Sequence, residues 1–126
     1  MREIKEKCKP MNQILFLNSV PESLNKLFNL HYRTRAKHKI DVEQEVWLEC
    51  KSQKIKPVKG SVSLNFIFTF KTNRKRDLDN YPPKFQIDGL RKAGILSEDN
   101  SDVVKQIYTS FKQGKKELTE INIQTL

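Results

Sequence analysis

Ser61-Val-Ser-Leu-Asn-Phe-Ile-Phe-Thr-Phe70 is the stretch on which the fold turns. Val62, Leu64, Phe66, Phe68 and Phe70 alternate with Ser61, Ser63, Asn65, Ile67 and Thr69. A period of two marks an extended strand, whose successive side chains point to opposite faces. One face is strongly apolar and belongs to a core. The strand leads towards Arg74-Lys-Arg76 and then Asp77-Leu-Asp-Asn80. An apolar strand thus delivers the chain to a basic patch and an acidic pair.

Upstream, Gln13 to Asn18 reads as a short strand and Val20-Pro-Glu-Ser23 as a turn. Leu24 to Leu30 is too short to separate a helical turn from an irregular loop. From Ala36 to Ser52 the pattern is helical: Ala36, Ile40, Glu43, Trp47 and Cys50 recur at spacings of three and four, beside Val46. That predicts an amphipathic helix on a sheet, with Trp47 in the core. Downstream, Asn80 is expected as a helix N-cap, with Pro82 and Pro83 in the first turn. The helix should end near Lys92 or Ala93, before Gly94. Val103 to Phe111 and Leu118 to Gln124 read as strands, joined by a turn at Gln113-Gly-Lys-Lys116. The expected fold class is α+β, a small mixed β-sheet with helices packed on it. The 126 residues fit a single domain, with residues 1–11 expected as a disordered tail.

Hydrophobic residues are 37% and charged residues 31%, which fits a folded soluble domain. The net charge is +9 and the pI about 9.6, so a polyanionic partner is expected. No apolar run approaches the roughly 18 residues of a spanning helix, so no membrane partner is expected. Met1 to Pro10 lacks the apolar centre of a signal peptide, and a cytoplasmic location is expected. Cys8 and Cys50 form no zinc spacing with His31 or His38 and are expected as reduced thiols. Any metal would be held by oxygen.

Oxygen ligands are at hand. If the strand continues to Asp77 and Asp79, both carboxylates share a face. Asp99, beside Glu98, follows the helix, and a strand–helix–turn return would bring it back to the pair. Clustered carboxylates repel and call for a cation. Hard donors of this kind suit Mg²⁺ or Mn²⁺, which also bind phosphate. Lys84, one helical turn after Asn80, could neutralise charge on a phosphate in reaction. Spacing alone also allows solvated surface acids, a turn aspartate and an ordinary helix lysine. The apolar strand, the cations Arg74, Lys75 and Arg76, and the basic balance of the chain favour a metal site for phosphodiester chemistry. A second basic segment contains His31, Tyr32, Arg33, Arg35 and Lys37. Its mixture of cations and aromatics suits phosphates and bases, or else a solvated helix start.

At these residues the sequence resembles the RusA family of Holliday-junction resolvases, small basic phage-associated endonucleases. The resemblance is carried by Arg76-Asp-Leu-Asp-Asn80, Lys84, Ile87-Asp-Gly-Leu90, Lys92-Ala-Gly94 and Glu98-Asp99. It extends more weakly to Val20-Pro-Glu-Ser-Leu-Asn25 and His31-Tyr32, about two-thirds of the chain in all. It implies a RusA-like homodimer that binds four-way DNA junctions and makes paired symmetric nicks with Mg²⁺ or Mn²⁺, in DNA recombination and repair. The family's essential acids match Asp77, Asp79 and Asp99, and its important lysine matches Lys84. Asp88 falls on another common family position, with a structural or supportive role expected. Tyr81-Pro-Pro83 departs from the pattern by one apparent extra residue before Lys84, and a second apparent insertion lies at Asn100–Asp102. Two other readings stay open: a non-catalytic nucleic-acid binder, and a metal-dependent nuclease for other branched substrates.

Overall fold

The computed structural model describes residues 11–126. The expectations for Cys8 and for the tail before Met11 lie outside the described residues. Met11 itself is tied to the sheet, its carbonyl accepting from Thr125 N at 2.9 Å.

Among the described residues, four strands form one mixed sheet: β1 (Asn12–Leu17), β2 (Val62–Phe70), β3 (Val104–Gln113) and β4 (Leu118–Thr125). Three α-helices of the described residues accompany them: α1 (Leu24–Phe28), α2 (Tyr32–Ser52) and α3 (Lys84–Lys92). A short 3-10 helix spans Leu78–Asn80. This is the expected α+β class. The strand order is β1-β4-β2-β3. β2 is parallel to β3, and β4 is antiparallel to both β1 and β2. β1, β2 and β3 therefore run the same way, linked through α2 and α3. The turn at Gln113–Lys116 does not close a hairpin between neighbours. It carries the chain past β2, where Gly114 N donates to Phe70 O at 3.0 Å.

The core lies between one sheet face and the helices. Val62, Leu64, Phe66, Phe68 and Phe70 are all buried, beside Leu15, Leu17, Ile121 and Ile123. Registered pairs such as Phe66 with Ile121 carry the apolar face across strands. Val46 of α2 and Leu90 of α3 close it from above.

Several local expectations need correction. α2 begins at Tyr32, four residues before Ala36, because His31 caps it: Nδ1 accepts from Arg33 N at 3.2 Å. Its buried face is Val42, Glu43, Val46 and Cys50, while Ile40 and Trp47 are exposed. The cause is close helix packing. A Cβ on Gly89 of α3 would stand 2.9 Å from Val46 Cβ, so a small side chain occupies the contact and Trp47 lies outside it. The Lys51 ammonium covers the Trp47 ring at 4.5 Å. Asn80 is not the cap of α3; Pro83 holds that position, and Asn80 Oδ1 accepts from Asn25 N at 3.3 Å.

Gly94 ends α3 as expected. Its φ of +80° suits glycine, and Gly94 N and Ile95 N donate to Arg91 O and Leu90 O, each at 3.0 Å. Cys50 is a buried free thiol, pushed up to about 11 by burial and then by the Glu49 charge. Among the described residues no helix is long and apolar enough to cross a membrane.

Candidate nucleic-acid and metal site

α2 and α3 run side by side in the same direction. His38 meets Phe85, Lys39 meets Asp88, and Glu43 meets Lys92. Each helix follows a strand of the codirectional set. Both helix starts therefore lie at the sheet end where those strands finish. That end collects the predicted site residues in two groups: the segment His31 to Lys37 on α2, and the loop from Arg74 through Asp77 and Asp79 to Lys84. In open α/β sheets, loops at this end are where ligands are held.

Asp77 and Asp79 do not sit on a continued strand. β2 stops at Phe70, and Asp77 precedes the 3-10 helix that contains Asp79. Both are exposed, and neither forms an ion pair among the described residues. Their turn is pinned on both sides. Upstream, the Arg76 guanidinium lies 3.9 Å from the Phe70 ring centroid and donates to Thr72 O and Arg74 O, both at 3.2 Å. Downstream, Tyr81 is buried against Phe70 and Phe111, with centroids 5.4 and 5.5 Å away. Such support fixes a short polar turn without using its carboxylates.

Lys84, Asp88 and Asp99 line one open concavity of about 260 Å³, with Pro82, Ile87 and Ile107. The return after α3 brings Asp99 to a wall of the concavity that Lys84 also lines, whereas the expected return was to the Asp77–Asp79 pair. Asp77 and Asp79 are outside that lining. Asp99 Oδ2 meets Arg91 Nε at 3.5 Å, and Asp88, largely buried, meets Lys39 at 3.7 Å. Glu98 is exposed. Among the described residues, no three His, Cys, Asp or Glu side chains gather as a metal-holding group. Mg²⁺, however, is commonly held by one or two carboxylates plus substrate phosphate. Asp77 and Asp79, exposed on one turn and free of ion pairs among the described residues, fit that donor chemistry.

The predicted DNA-contacting residues divide. Arg74 and Lys75 are exposed beside the acidic turn. Arg76 is spent largely on the loop itself. His31, Tyr32 and Arg33 form a self-packed stack, with ring centroids of His31 and Tyr32 4.5 Å apart and the Arg33 guanidinium 5.7 Å from the Tyr32 ring. Arg35 is partly buried, and Lys37 pairs with Asp41 at 3.3 Å.

A charged network joins α2 to α3. Buried Glu43 accepts from Lys39 and, at 2.9 Å, from Lys92. Burial pushes the Glu43 carboxyl up, but the hydrogen bonds and charges of both lysines outweigh it and hold the group below its ordinary value. The Glu43 hydrogen bond raises Lys39 against the opposing effect of burial, with the Glu43 and Asp88 charges acting in the same direction. Spacing put Glu43 on the inward helix face, but nothing local named its partners. The Phe70–Tyr81–Phe111 cluster was likewise missed, although Phe70 ends the apolar strand β2 and Phe111 lies near the end of β3. No protein-family model matches the chain, and no curated protein matches it.

Proposed function

We propose that the chain is a Mg²⁺-dependent endodeoxyribonuclease that resolves four-way DNA junctions, acting as a homodimer with one acidic site per subunit. The observation that carries this is the exposed Asp77–Asp79 turn, anchored by Arg76 and Tyr81, beside cations on an otherwise basic chain. Unneutralised carboxylates repel phosphate, so their position next to Arg74 and Lys75 in the chain makes sense with a cation between acid and DNA. Mg²⁺, when bound, stabilises charge on the scissile phosphate and acidifies an attacking water.

The chain's own residues do the rest. Asp77 and Asp79 would hold the ion, and Asp99, paired with Arg91, would be the third carboxylate available to it. Lys84 faces the phosphate from the first turn of α3 and offsets the charge that develops there. Arg74, Lys75 and the exposed cations of α2 grip backbone phosphates and set the register of the strand. Two such sites related by a two-fold axis would give paired cuts on a symmetric junction.

Incubation of the full chain with a labelled four-way junction, a fork and a plain duplex tests this. Mg²⁺-dependent, paired, symmetric nicks in the junction are expected, and none in EDTA. Cutting of the fork but not the junction would move the assignment to another branched substrate. A second reading, a non-catalytic nucleic-acid binder, is favoured by the Arg91–Asp99 ion pair, which gives Asp99 a structural use. It predicts no saturable Mn²⁺ site in a calorimetric titration, whereas the nuclease predicts one that Asp77→Asn removes.

A further inference from the structure

A cleft of about 200 Å³ opens where β2 and β3 end, between the loop after Phe70 and the last residues of β3. Three cations line it, Arg74, Arg76 and Lys112, together with Phe70 and Phe111. Asn73 and Gln113 add side-chain amides, and no carboxylate belongs to the lining. Four other concavities of the described residues include Glu22, Glu43, Asp99 or Glu117. Cations elsewhere are engaged in ion pairs: Lys26 with Glu22, Lys37 with Asp41, Lys92 with Glu43 and Arg91 with Asp99. Arg74 and Lys112 are exposed and form no ion pair among the described residues. The two sides of the cleft are held together by neutral contacts. Gln113 Nε2 donates to Lys71 O at 3.4 Å, and the Phe111 ring lies 5.3 Å from Phe70 and 5.5 Å from Tyr81. The Arg76 fork is engaged with the loop, so it brings charge, and contact falls to Arg74 and Lys112.

We propose that this cleft seats one phosphodiester group of the DNA strand that crosses the acidic turn. Three like charges in one concavity repel unless an anion lies among them. A small free anion would stay hydrated in so open a cleft and bind weakly. A phosphodiester is kept there by the contacts that its own strand makes elsewhere. The net charge of +9 favours a polyanion over an isolated acidic side chain. Arg76 is bonded to Asp77, so the seated phosphate would lie within a few nucleotides of the acidic turn. Lys112 reaches this place through the sheet: it follows Phe111, whose ring packs on Tyr81 just beyond that turn. The proposal rests on the nucleic-acid reading above and adds to it where the strand is held on the β3 side of the turn.

Fluorescence anisotropy with a labelled four-way junction, in EDTA and across a salt series, tests it with the full chain. Arg74→Gln/Lys112→Gln is compared with Lys59→Gln/Lys105→Gln, which removes the same charge from exposed positions at the opposite end of the sheet. Along β3, Lys105 stands about 23 Å from Lys112, well beyond the screening length of roughly 10 Å. At about 0.1 M salt the first variant should bind roughly tenfold more weakly than wild type, and its log–log salt slope should fall by about one. The second should keep the wild-type slope and bind within about twofold of wild type. Thermal melting checks the fold of each variant, and Arg74→Gln and Lys112→Gln singly decide the matter if the double variant does not fold. Equal weakening by the two double variants would overturn the cleft and leave the nucleic-acid reading intact. A folded Lys112→Gln that binds like wild type would also overturn it. Absence of binding by wild type would overturn both.

Discussion

Arg76 and Gly89 show how single residues act here through geometry rather than through charge or chemistry. Arg76 looks like one more phosphate-binding cation, yet its planar fork lies on Phe70 and ties Thr72 to Arg74. Lysine keeps the charge but neither stacks nor donates in that fork. Arg76→Lys should therefore slow single-turnover junction cleavage by roughly ten- to a hundredfold, the scale of a small misplacement of reacting groups. Junction affinity should change little. An equal loss in both would mean that Arg76 contacts DNA directly. Gly89 permits the approach of α3 to Val46. Gly89→Ala must push a stiff, branched side chain aside, and should destabilise by about 1–3 kcal/mol in urea unfolding. Neither role was legible in the sequence. A glycine inside a helical pattern and an arginine beside two other cations carry no mark of the partner that makes them necessary.

At the scale of elements, the strands were the most legible part. β2 announced itself because a half-buried strand must alternate, and its five apolar positions are all in the core. The helices were less so. α2 is packed by the sheet on one side and by α3 on another, so its inward arc includes the charged Glu43 and excludes the apolar Trp47. Its start entered only as the alternative reading of the basic segment as a solvated helix start, because histidine is not among the usual capping residues. The acidic turn was misplaced as strand because the chain leaves the sheet at Phe70 and is fixed by aromatic contacts from distant segments. The Lys39–Glu43–Lys92 network makes the α2–α3 pairing sensitive to pH. Glu43 is held below its ordinary carboxyl value, so its contribution is present above the unfolded value of about 4.3 and lost as pH falls through the folded one. Lys39 is raised, so its contribution is present below the unfolded value of about 10.4 and lost as pH rises through the folded one. Melting temperature should therefore fall on acidification below the ordinary carboxyl range and again in strong alkali. Glu43→Gln should cost about 1–3 kcal/mol at neutral pH and flatten the acid limb. An acid limb of unchanged steepness in Glu43→Gln would assign the loss to other carboxylates.

For the whole molecule, three codirectional strands, two helix starts and most of the predicted site residues share one end of the sheet. Chain order alone implied part of this, since each strand before a helix delivers its loop to that end. The strand order β1-β4-β2-β3 was not legible, because nothing in the last two strands says that β2 lies between them. With a net charge of +9, junction binding should weaken steeply with salt. About six phosphate contacts would give roughly a thousandfold loss between about 50 and 200 mM salt. A flat salt response would deny a backbone-dominated interface. The central claim is that Asp77 serves chemistry and not DNA affinity. Its most direct test is junction cleavage in Mg²⁺ by wild type and Asp77→Asn, with affinity measured for both in the absence of metal. Wild type should make paired nicks, and the variant should bind at least as well yet cut roughly a hundredfold more slowly or not at all. Nicking by Asp77→Asn at the wild-type rate would contradict the account.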